Sequence, residues 1–346
     1  MSSTRTAPTL DDVAKAAGVS TATVSRCLNT PDRVIESTRK RVTDAIDALG
    51  YTPNFGARVM AAKRTFTIGA IIPTMENAIF ARGLQAFQEA LHDRGYNLLV
   101  SSSAYRPEIE EEQIRALVAR GADGLLLIGH DRDPAIYPYL ERQNVPVLAA
   151  WTYADGASLP SIGFDNRAAM SALAEEVLAR GHRRIGVISG ATAGNDRARQ
   201  RVEGIRDAVA AHGLDPAALA IIETTYQIES GGDAFDTLMG ANDPPTAIIC
   251  GNDVLAAGAV ARARAHGLDV PGDVSVTGFD DIELARIVYP ALTTVHVPHG
   301  EMGRKAACAL VDMVETKQAG VSIRLDTSLR LRGSLGPAPR QGHGPR

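Results

Sequence analysis

A short stretch near the amino terminus, residues 21–29, carries side chains suited to reading the edges of DNA bases. At about 100° per residue, turning Val24, Cys27 and Leu28 inward leaves a small, polar outward face. An arginine on that face can form a bidentate hydrogen bond with guanine in the major groove, which admits an α-helix. The simpler alternative is a helical hairpin on a protein surface, a common arrangement. The outward side chains are Ala22, Ser25, Arg26 and Asn29, with Thr21 at the edge.

A second group of polar and aromatic residues follows the apolar runs of the remaining chain. In open parallel α/β sheets, ligands bind beyond the carboxyl ends of the strands, so these positions could hold a small molecule. Carboxylates, amides, an arginine and ring faces together suit a hydroxylated ligand. The positions are residues 73–80, 130–133, 151–153, 165–166, 189–201, 226, 252–253 and 280–281.

Several residues of this group, and one nearby, also have structural interpretations. Trp151, the only Trp of the chain, fits a core position as well as a pocket. Arg201 fits a helix surface, although an arginine within a dense motif favours ligand contact. Asp280 is also expected to cap the helix that follows it. His182 is interpreted as structural rather than catalytic.

Three short helices would position the first group. Apolar residues at 10, 13, 14 and 17, and then at 24, 27 and 28, follow helical spacing. Gly18 fits the left-handed residue that ends a helix, and Ser20 fits the cap of the next one. Thr9 and Asp12 form a capping-box pattern. A third helix, apolar at 42, 45, 46 and 49, is expected to end at Gly50.

From residue 67 the chain alternates β-rich runs with helical stretches. Several helices end in a basic residue followed by Gly, because cations and a left-handed glycine complement a helix carboxyl end. Apolar strands without alternation predict parallel sheets covered on both faces, and their number predicts two doubly wound halves that join near residues 159–162. The strand runs are TIGAII, YNLLVS, GLLLI, VPVLAA, SIGF, RIGVIS, ALAII, TAIIC and DVSVTGF.

The charges are distributed unevenly along the chain. Residues 1–64 contain ten Lys and Arg against six Asp and Glu, a net charge of +4, and the remainder contains 26 against 34, a net charge of −8. A basic head on an acidic body is expected where only the head meets phosphates, with chance fluctuation as the alternative. The amino terminus lacks the apolar core of a signal peptide, and no run approaches the ~18 apolar residues of a membrane span. We therefore expect a cytoplasmic protein without membrane contact, whose three cysteines are buried, reduced and unpaired.

An enzyme on the same α/β scaffold is a competing interpretation. No GxGxxG follows the first strand run, no GxSxG elbow or Walker loop occurs, and the histidines lack metal-ligand spacing. We therefore predict no catalytic residue, cofactor or metal. A plain solute-binding protein, the third interpretation, would have a signal peptide and no helix-turn-helix.

The region from Thr9 to Arg58 resembles the head of the lactose repressor (LacI/GalR) family of bacterial transcription regulators. The matching residues are Thr9-Leu10-x-Asp12-Val13-Ala14, Ala17-Gly18-Val19-Ser20, Thr23-Val24-Ser25-Arg26, Asn29, Thr38-Arg39, Val42, Leu49-Gly50-Tyr51-x-Pro53-Asn54 and Ala57-Arg58. The resemblance implies that Thr21, Ala22 and Arg26 contact base edges. It implies phosphate contacts from Thr9, Ser20, Thr23, Ser25 and Asn29.

The resemblance also implies a hinge helix at residues 55–64 that folds against the minor groove. Met60 stands where the family has a Leu that wedges a base step apart, and Met is an acceptable apolar wedge. Gly56 lowers the helicity of this run by about 1 kcal/mol relative to Ala, which favours folding only on DNA. Ile35 stands where the family often has a Ser cap, so we expect Ser37 to cap a slightly shorter third helix.

Motifs of the body resemble the same family, so the resemblance extends to about Arg332. They are Gly181-His182-Arg183-Arg184-Ile185, Arg201-x-x-Gly204, Cys250-Gly251-Asn252-Asp253, Gly278-Phe279-Asp280-Asp281 and Leu292-Thr293-Thr294-Val295. The resemblance implies an α/β body like that of periplasmic sugar-binding proteins, with two lobes joined by three crossovers. The implied parts are a head at 1–54, lobe 1 at about 65–160 and 294–322, lobe 2 at about 161–293 and 323–334, and a disordered tail at 335–346. The implied effector contacts are Ile79, Phe80, Trp151, Arg201, Tyr226, Asn252 and Asp280.

These expectations together describe a ligand-responsive, sequence-specific transcriptional regulator. It would act as a homodimer on a pseudo-palindromic double-stranded operator. Residues 73–80 and 105–108 resemble the gluconate-regulator branch, which implies a sugar or sugar acid as effector and repression of its catabolism genes. Arg201 or Arg132 would then pair with a ligand carboxylate. Induction and corepression by the effector stay open at this point.

Overall fold

The computed structural model describes residues 7–52, 64–76, 78–157 and 159–339, without the side chain of Asn29. The predicted hinge, with Met60, lies outside the described residues except for Arg64. The chain divides into two compact units, Met1–Thr65 and Phe66–Arg346. Among the helices of the described ranges, none has the length and hydropathy needed to cross a bilayer.

The described part of the first unit contains three α-helices around a small apolar core. They are α1 (Leu10–Ala17), α2 (Thr21–Asn29) and α3 (Glu36–Leu49). Both predicted glycine caps are confirmed, since Gly18 and Gly50 each have a φ of 63°. The predicted Ser37 cap is wrong, because α3 begins two residues earlier than that cap would allow, with Ile35 at the cap position and no side-chain cap bond. The core residues are Val13, Ala14, Ala17, Val24, Val42, Ala45 and Tyr51.

Lobe 1 of the second unit is built on a six-stranded parallel sheet of order β2-β1-β3-β4-β5-β11. Its inner strands β1, β3, β4 and β5 are buried, as the continuous apolar runs predicted, whereas the edge strand β2 is partly exposed. The strands are β1 (Thr67–Ile72), β2 (Asn97–Ser102), β3 (Gly124–Ile128), β4 (Val147–Ala150), β5 (Ser161–Gly163) and β11 (Ile323–Arg324). The helices are α4 (Ala78–Asp93), α5 (Pro107–Ala119), α6 (Ile136–Gln143) and α12 (His299–Thr316).

Lobe 2 is built on a four-stranded parallel sheet of order β7-β6-β8-β9. A two-stranded antiparallel ribbon, β10 with β12, continues from it through isolated bridges. The strands are β6 (Ile185–Gly190), β7 (Ala220–Thr224), β8 (Ala247–Cys250), β9 (Ser275–Thr277), β10 (Thr294–His296) and β12 (Ser328–Arg330). The helices are α7 (Asn166–Ala179), α8 (Asp196–Ala211), α9 (Ile228–Met239), α10 (Asp253–Ala265) and α11 (Leu284–Ile287).

The three crossovers fall a few residues away from the predicted boundaries. Strand β5 pairs with β4, and β11 pairs with β5, so both complete the sheet of lobe 1. Strand β10 instead packs Val295 into the core of lobe 2. Lobe 1 is therefore residues 66–163 and 298–325, and lobe 2 is residues 164–297 and 326–339. Strands of two or three residues carry too few side chains to indicate which sheet they join.

The basic-residue and glycine pairs do end helices as predicted. Their glycines, at 95, 121, 181, 213 and 267, all have positive φ. The cysteines were only partly predicted: Cys250 is buried and Cys27 half-buried, but Cys308 is exposed on the outer face of α12.

Residues 333–338 pack against lobe 2, so the predicted disordered tail is wrong for residues 335–338. The hydroxyl of Ser334 donates to the carbonyl of Val276 at 2.5 Å, and the N–H of Gly336 donates to the hydroxyl of Ser275 at 3.1 Å. Nε2 of His182 lies 3.1 Å from the carbonyl of Gly336, in agreement with a structural histidine. Hydrogen bonds with lobe 2 hold this segment in place. Such bonds leave no pattern in the composition, so the sequence did not indicate that the segment is ordered. Residues 340–346 lie outside the described residues.

We predict that Leu335→Ala lowers the free energy of unfolding of the body by about 2–5 kcal/mol, because it leaves a cavity in the core of lobe 2. Leu335 is 4 % exposed, whereas Leu331 is 52 % exposed. Leu331→Ala is therefore the matched control and should change stability little. Urea denaturation of the full-length protein measures both variants, and equal losses would contradict the packing of this segment.

Candidate functional site

In the helix-turn-helix of the first unit, side-chain hydrogen bonds cap the amino-terminal ends of both helices. The N–H of Thr9 donates to Asp12 at 2.8 Å, and the N–H of Asp12 donates back to the Thr9 hydroxyl at 3.3 Å. The Thr9 hydroxyl also donates to the Asp12 carboxylate at 2.7 Å, and this bond, followed by the bond from the Thr9 N–H, lowers the pKa of Asp12. The hydroxyl of Ser20 accepts from the N–H of Thr23 at 3.2 Å, which caps α2. Both predicted caps are confirmed.

Helix α2 turns its apolar side inward and leaves the predicted recognition face outward. Val24 is fully buried in the head core. Small side chains beside Arg26 leave room for close approach to a groove floor. The side chains of Thr9, Ser20, Thr21, Ala22 and Arg26 are exposed, and those of Thr23 and Ser25 are half-buried. Their contacts with DNA stay predictions, and those of Asn29 and Met60 fall outside the described side chains.

In the body, Arg201 lies at the centre of the facing edges of the two lobes. Its Nε donates to Oδ1 of Asn166 at 2.9 Å, and its Nη1 donates to the carbonyl of Gly251 at 2.7 Å. The guanidinium also stacks 3.8 Å from the ring centre of Phe279. Arg201 is therefore buried and is not the surface charge of the alternative interpretation.

Gly204, in the same motif, lets α8 approach α7 closely enough to place Arg201. A Cβ at this position would lie 2.2 Å from the carbonyl oxygen of Arg167. Any side chain at residue 204 would push the two helices apart. The Arg201-x-x-Gly204 spacing therefore pairs a polar group with the packing that positions it.

Asp280 is a fully buried carboxylate to which no described group donates a hydrogen bond. Its Oδ1 lies 3.7 Å from Nη2 of Arg201. Burial raises the pKa of Asp280 to about 6, although the positive charges of Arg201 and Arg197 oppose the rise. Its φ of 100° is unusual for a residue with a side chain, and such strain is concentrated at functional sites.

Asp280 does not cap the helix that follows, so that expectation is wrong. The cap residue of α11 is Glu283, which makes no side-chain cap bond. Ahead of this helix, Oδ2 of Asp253 accepts from the N–H of Ile282 at 2.9 Å. Its Oδ1 accepts from the hydroxyl of Thr294 at 2.6 Å. Burial raises the pKa of Asp253 to about 8 despite these bonds. The neighbouring Asn252 caps α10 through its Oδ1, and its Nδ2 has no bond within the described ranges.

On the lobe 1 side, aromatic side chains face the region around Arg201 and Asp280. Trp151, 2 % exposed, packs edge to face on Phe80 with ring centres 5.3 Å apart. Ile79 is also buried there. Trp151 is thus a core residue at the edge of lobe 1, and its indole N–H has no partner in the described part of the chain. The backbone of Trp151 is also strained, with a φ of 61°, as is that of Asp280.

Tyr226 closes the opposite end of the region. Its ring lies over Gly190, where a Cβ would come within 2.3 Å of the ring, and its centre is 5.8 Å from that of Tyr105 in lobe 1.

Sequence reasoning missed Tyr105 and His299 as site residues. Tyr105 does follow a strand and could have been found by the same rule, but His299 lies at the start of α12 and gave no such signal.

Polar contacts join the rims of the two lobes. Arg199 of lobe 2 forms two bonds to Asp131 of lobe 1, at 2.6 and 2.8 Å. Asp196 accepts from the N–H of His130 at 2.8 Å, and Arg82 pairs with Glu283. Beside these contacts lies a cavity of 30 Å³, room for about one water molecule, whose lining includes Tyr105 and Asp131 of lobe 1 and Arg197 of lobe 2 but none of the predicted effector residues. The lobes are closed, so a drug-sized ligand would require them to separate.

Arg132 is less suited than predicted to bind a ligand carboxylate. Its side chain is almost fully buried and donates to the carbonyl of Gly129 at 2.8 Å. It also pairs with Glu110 at 3.4 Å. A new anion would have to displace these partners.

A much larger cavity, of 990 Å³, lies at the amino ends of the lobe 2 strands. Its described lining includes Met239, Pro245 and Leu268 and none of the predicted effector residues. Ligands of open α/β sheets bind at the carboxyl ends of the strands. We therefore place the candidate effector site at the interlobe cluster rather than at this cavity.

Comparison with known proteins identifies this architecture. Residues 9–54 match the model of bacterial regulatory proteins of the lacI family, and residues 65–329 match that of periplasmic binding proteins and the sugar binding domain of the LacI family. The chain belongs to the LacI family. As a LacI-family member it resembles the HTH-type transcriptional repressor CytR of Escherichia coli strain K12, with 35 % identity over 96 % of this chain and 98 % of CytR.

Solved LacI-family structures agree with the fold. The Lac repressor dimer bound to operator and the anti-inducer ONPF superposes with a TM-score of 0.84 and 27 % identity, covering 96 % of this chain and 100 % of that one. The CelR–cellobiose complex has a TM-score of 0.69 and 30 % identity, covering 94 % and 99 %. The predicted fold class and the predicted function as a LacI-family transcriptional regulator are confirmed. The family's members are DNA-binding regulators.

We predict that Asp280→Asn becomes more stable relative to the wild type as the pH rises from about 4 to 7. The folded protein keeps the Asp280 proton up to a pKa of about 6, whereas the unfolded chain releases it near 3.8, so wild-type stability falls across this window. The free energy of unfolding of Asp280→Asn, relative to that of the wild type, should rise by about 3 kcal/mol at most across this window. Urea denaturation across the pH range measures it.

Asp281→Asn is the control for this prediction. Burial opposes ionisation of Asp281, but hydrogen bonds from Arg332 and His296 outweigh it and lower its pKa. Asp281→Asn should therefore lose stability relative to the wild type as the pH rises from the folded pKa to the unfolded value near 3.8, and should change little relative to the wild type at higher pH. The same trend in both variants would contradict the assigned environments.

Proposed function

We propose that this chain is a ligand-controlled repressor whose effector binds between the two lobes. The observation that carries this proposal is the cluster of buried, unpaired polar groups that the lobes share. Asp280 and Asn252 come from lobe 2, and Trp151 comes from lobe 1. Buried polar groups are nearly always hydrogen-bonded, so such a concentration indicates a place where a ligand supplies the missing bonds.

The proposed effector contacts are those of the sequence prediction, with the roles that the geometry supports. Asp280 and Asn252 would hydrogen-bond the ligand, Arg201 would hold Asp280 in place, and Tyr226 would cover a ring face. Phe80, Ile79 and Trp151 would form the apolar wall. A sugar-type effector is supported by this mixture and by the cellobiose in the solved CelR complex, and genes for its catabolism are the proposed targets.

We further propose that the helix-turn-helix reads an operator. Thr21, Ala22 and Arg26 would contact base edges, and the other predicted residues of the head would contact phosphates. Binding energy of the effector would be coupled to operator affinity through lobe separation and closure, by typically 1–3 kcal/mol. The protein would act by binding alone, in the cytoplasm where its operator lies.

A homodimer is the proposed assembly, as in the solved Lac repressor dimer. Ile287 and Tyr289 are 77 % and 81 % exposed on lobe 2. Two neighbouring large apolar side chains in water favour burial against a second surface. Paired heads would also supply the half-site spacing that a pseudo-palindromic operator requires.

The head assignment predicts that Arg26→Ala weakens binding to a selected operator by about 1–3 kcal/mol and relaxes base preference. The operator is first selected from random duplexes with the wild-type protein, and affinities for it and for random DNA are then compared. Lys15→Ala is the matched control, because Lys15 lies on α1 and pairs with Asp11 at 2.7 Å. Equal affinity of the wild type for selected and random DNA would refute base reading.

The assembly predicts that Ile287→Asp weakens dimerisation by tenfold or more, about 1.4 kcal/mol, because a charge would enter an apolar contact. Sedimentation equilibrium measures this. Val321→Asp is the control, since Val321 is 74 % exposed on lobe 1. A wild-type protein that is monomeric at micromolar concentration would refute the proposed dimer.

A further inference from the structure

His299 is a buried histidine without an assigned role. It is the first residue of α12, directly after the second crossover, and is 3 % exposed. Neither ring nitrogen has a partner at normal hydrogen-bond distance within the described residues. Its ring centre lies 6.4 Å from that of Trp151, whose N–H is also unpaired. Packing alone does not explain a polar ring left unpaired in such a place.

His299 and Asp280 face each other across the lobe boundary. Nε2 of His299, in lobe 1, lies 3.8 Å from Oδ1 of Asp280, in lobe 2. This distance is too long for a good direct hydrogen bond. One oxygen atom placed to the side of the pair could nevertheless lie about 2.8 Å from both atoms.

The charge states of the pair decide which chemical group fits there. Burial and the nearby charges of Arg201 and Arg82 lower the pKa of His299 to about 3, so the imidazole is neutral near pH 7. With a pKa of about 6, Asp280 is largely ionised there. A neutral imidazole donates one hydrogen bond, and a carboxylate only accepts.

A hydroxyl group satisfies both partners, because it accepts from the imidazole and donates to the carboxylate. A ligand carboxylate has no proton to donate and would be repelled by Asp280, and an ammonium group cannot accept from the imidazole. Arg201 does not reverse this preference, because two of its donors serve Asn166 and Gly251 and its Nη2 faces Oδ1 of Asp280 at 3.7 Å, so that its positive charge already offsets this carboxylate.

We propose that the effector places a hydroxyl between Nε2 of His299 and Oδ1 of Asp280, and is therefore a neutral polyhydroxylated molecule rather than a sugar acid. The inference rests on the proposed interlobe effector site. One hydroxyl bonded to both residues would tie lobe 1 to lobe 2 directly. His299 would thus determine which ligands bind and would take part in coupling binding to closure.

The test uses matched neutral and acidic ligands on the full-length protein. The pairs are D-glucose with D-glucuronate, D-galactose with D-galacturonate, D-glucitol with D-gluconate, and cellobiose with cellobionate. Binding is followed by Trp151 fluorescence, which reports on this region alone because the chain has a single Trp, and by thermal shift. We expect at least one neutral member to bind and its acidic partner to bind at least tenfold more weakly.

Variants of His299 then test the residue itself with the best neutral ligand. His299→Leu should weaken binding at least tenfold, and His299→Gln, which keeps a donor, should restore most of the affinity. A deoxy analogue that lacks the bridging hydroxyl should bind the wild type and His299→Leu equally well. The melting temperature of unliganded His299→Leu should not fall, which separates ligand contact from a structural role.

Each outcome supports or overturns a distinct statement. Binding of an acid without its neutral partner, or full affinity in His299→Leu, would overturn the hydroxyl inference and leave the interlobe site standing. Failure of every sugar and sugar acid to bind would refute the proposed sugar-type effector, and the inference with it. Operator binding of the unliganded protein would be unaffected by either failure.

Discussion

The buried guanidinium of Arg201 is the interaction on which the interlobe region depends. It links the start of α7 through Asn166, the end of β8 through Gly251 and the end of β9 through Phe279. These three segments belong to different βα units, and a single side chain fixes their relative positions. Arg201 also supplies the positive charge nearest to Asp280, without which a buried carboxylate with no hydrogen bond would cost still more free energy.

In the closed body, the ion pairs at the rim of the lobes are favourable, whereas the buried polar groups at the centre cost free energy. Pairs such as Arg199 with Asp131 and Arg82 with Glu283 join the lobes where they are partly exposed, so each contributes little. At the centre, the side chains of Asp280 and His299 are buried, and no group in the described ranges forms a hydrogen bond with them. A ligand that satisfies the centre stabilises the closed form selectively, and selective stabilisation of one form is what an allosteric effector requires.

Local signals in the sequence predicted the helices, strands and caps well. Features that depend on contacts between residues far apart in the chain could not be predicted in this way. Gly18, Ser20 and the Thr9–Asp12 box act within four residues, so their roles could be inferred from sequence. The sheet membership of β5 and β11 and the packing of Leu335 depend on partners far along the chain. His299 was missed for the same reason, since only the second crossover brings the start of α12 beside Asp280. Arg201, Asn252 and Asp280 were singled out as candidates because they follow predicted strands and because family motifs mark them, and their contacts with an effector stay predictions.

The head has its own core, and the side chains that cap α1 and α2 belong to the head itself. Val13, Val24 and Val42 pack together, and the bonds that fix the turn all lie between residues 9 and 23. Its recognition face therefore does not need the body in order to form. We therefore expect an effector bound between the lobes to leave the conformation of α2 unchanged. If the protein works as the proposed dimer, control must instead act on the spacing and orientation of two preformed heads, because each half-site is read by one head and both must fit at once.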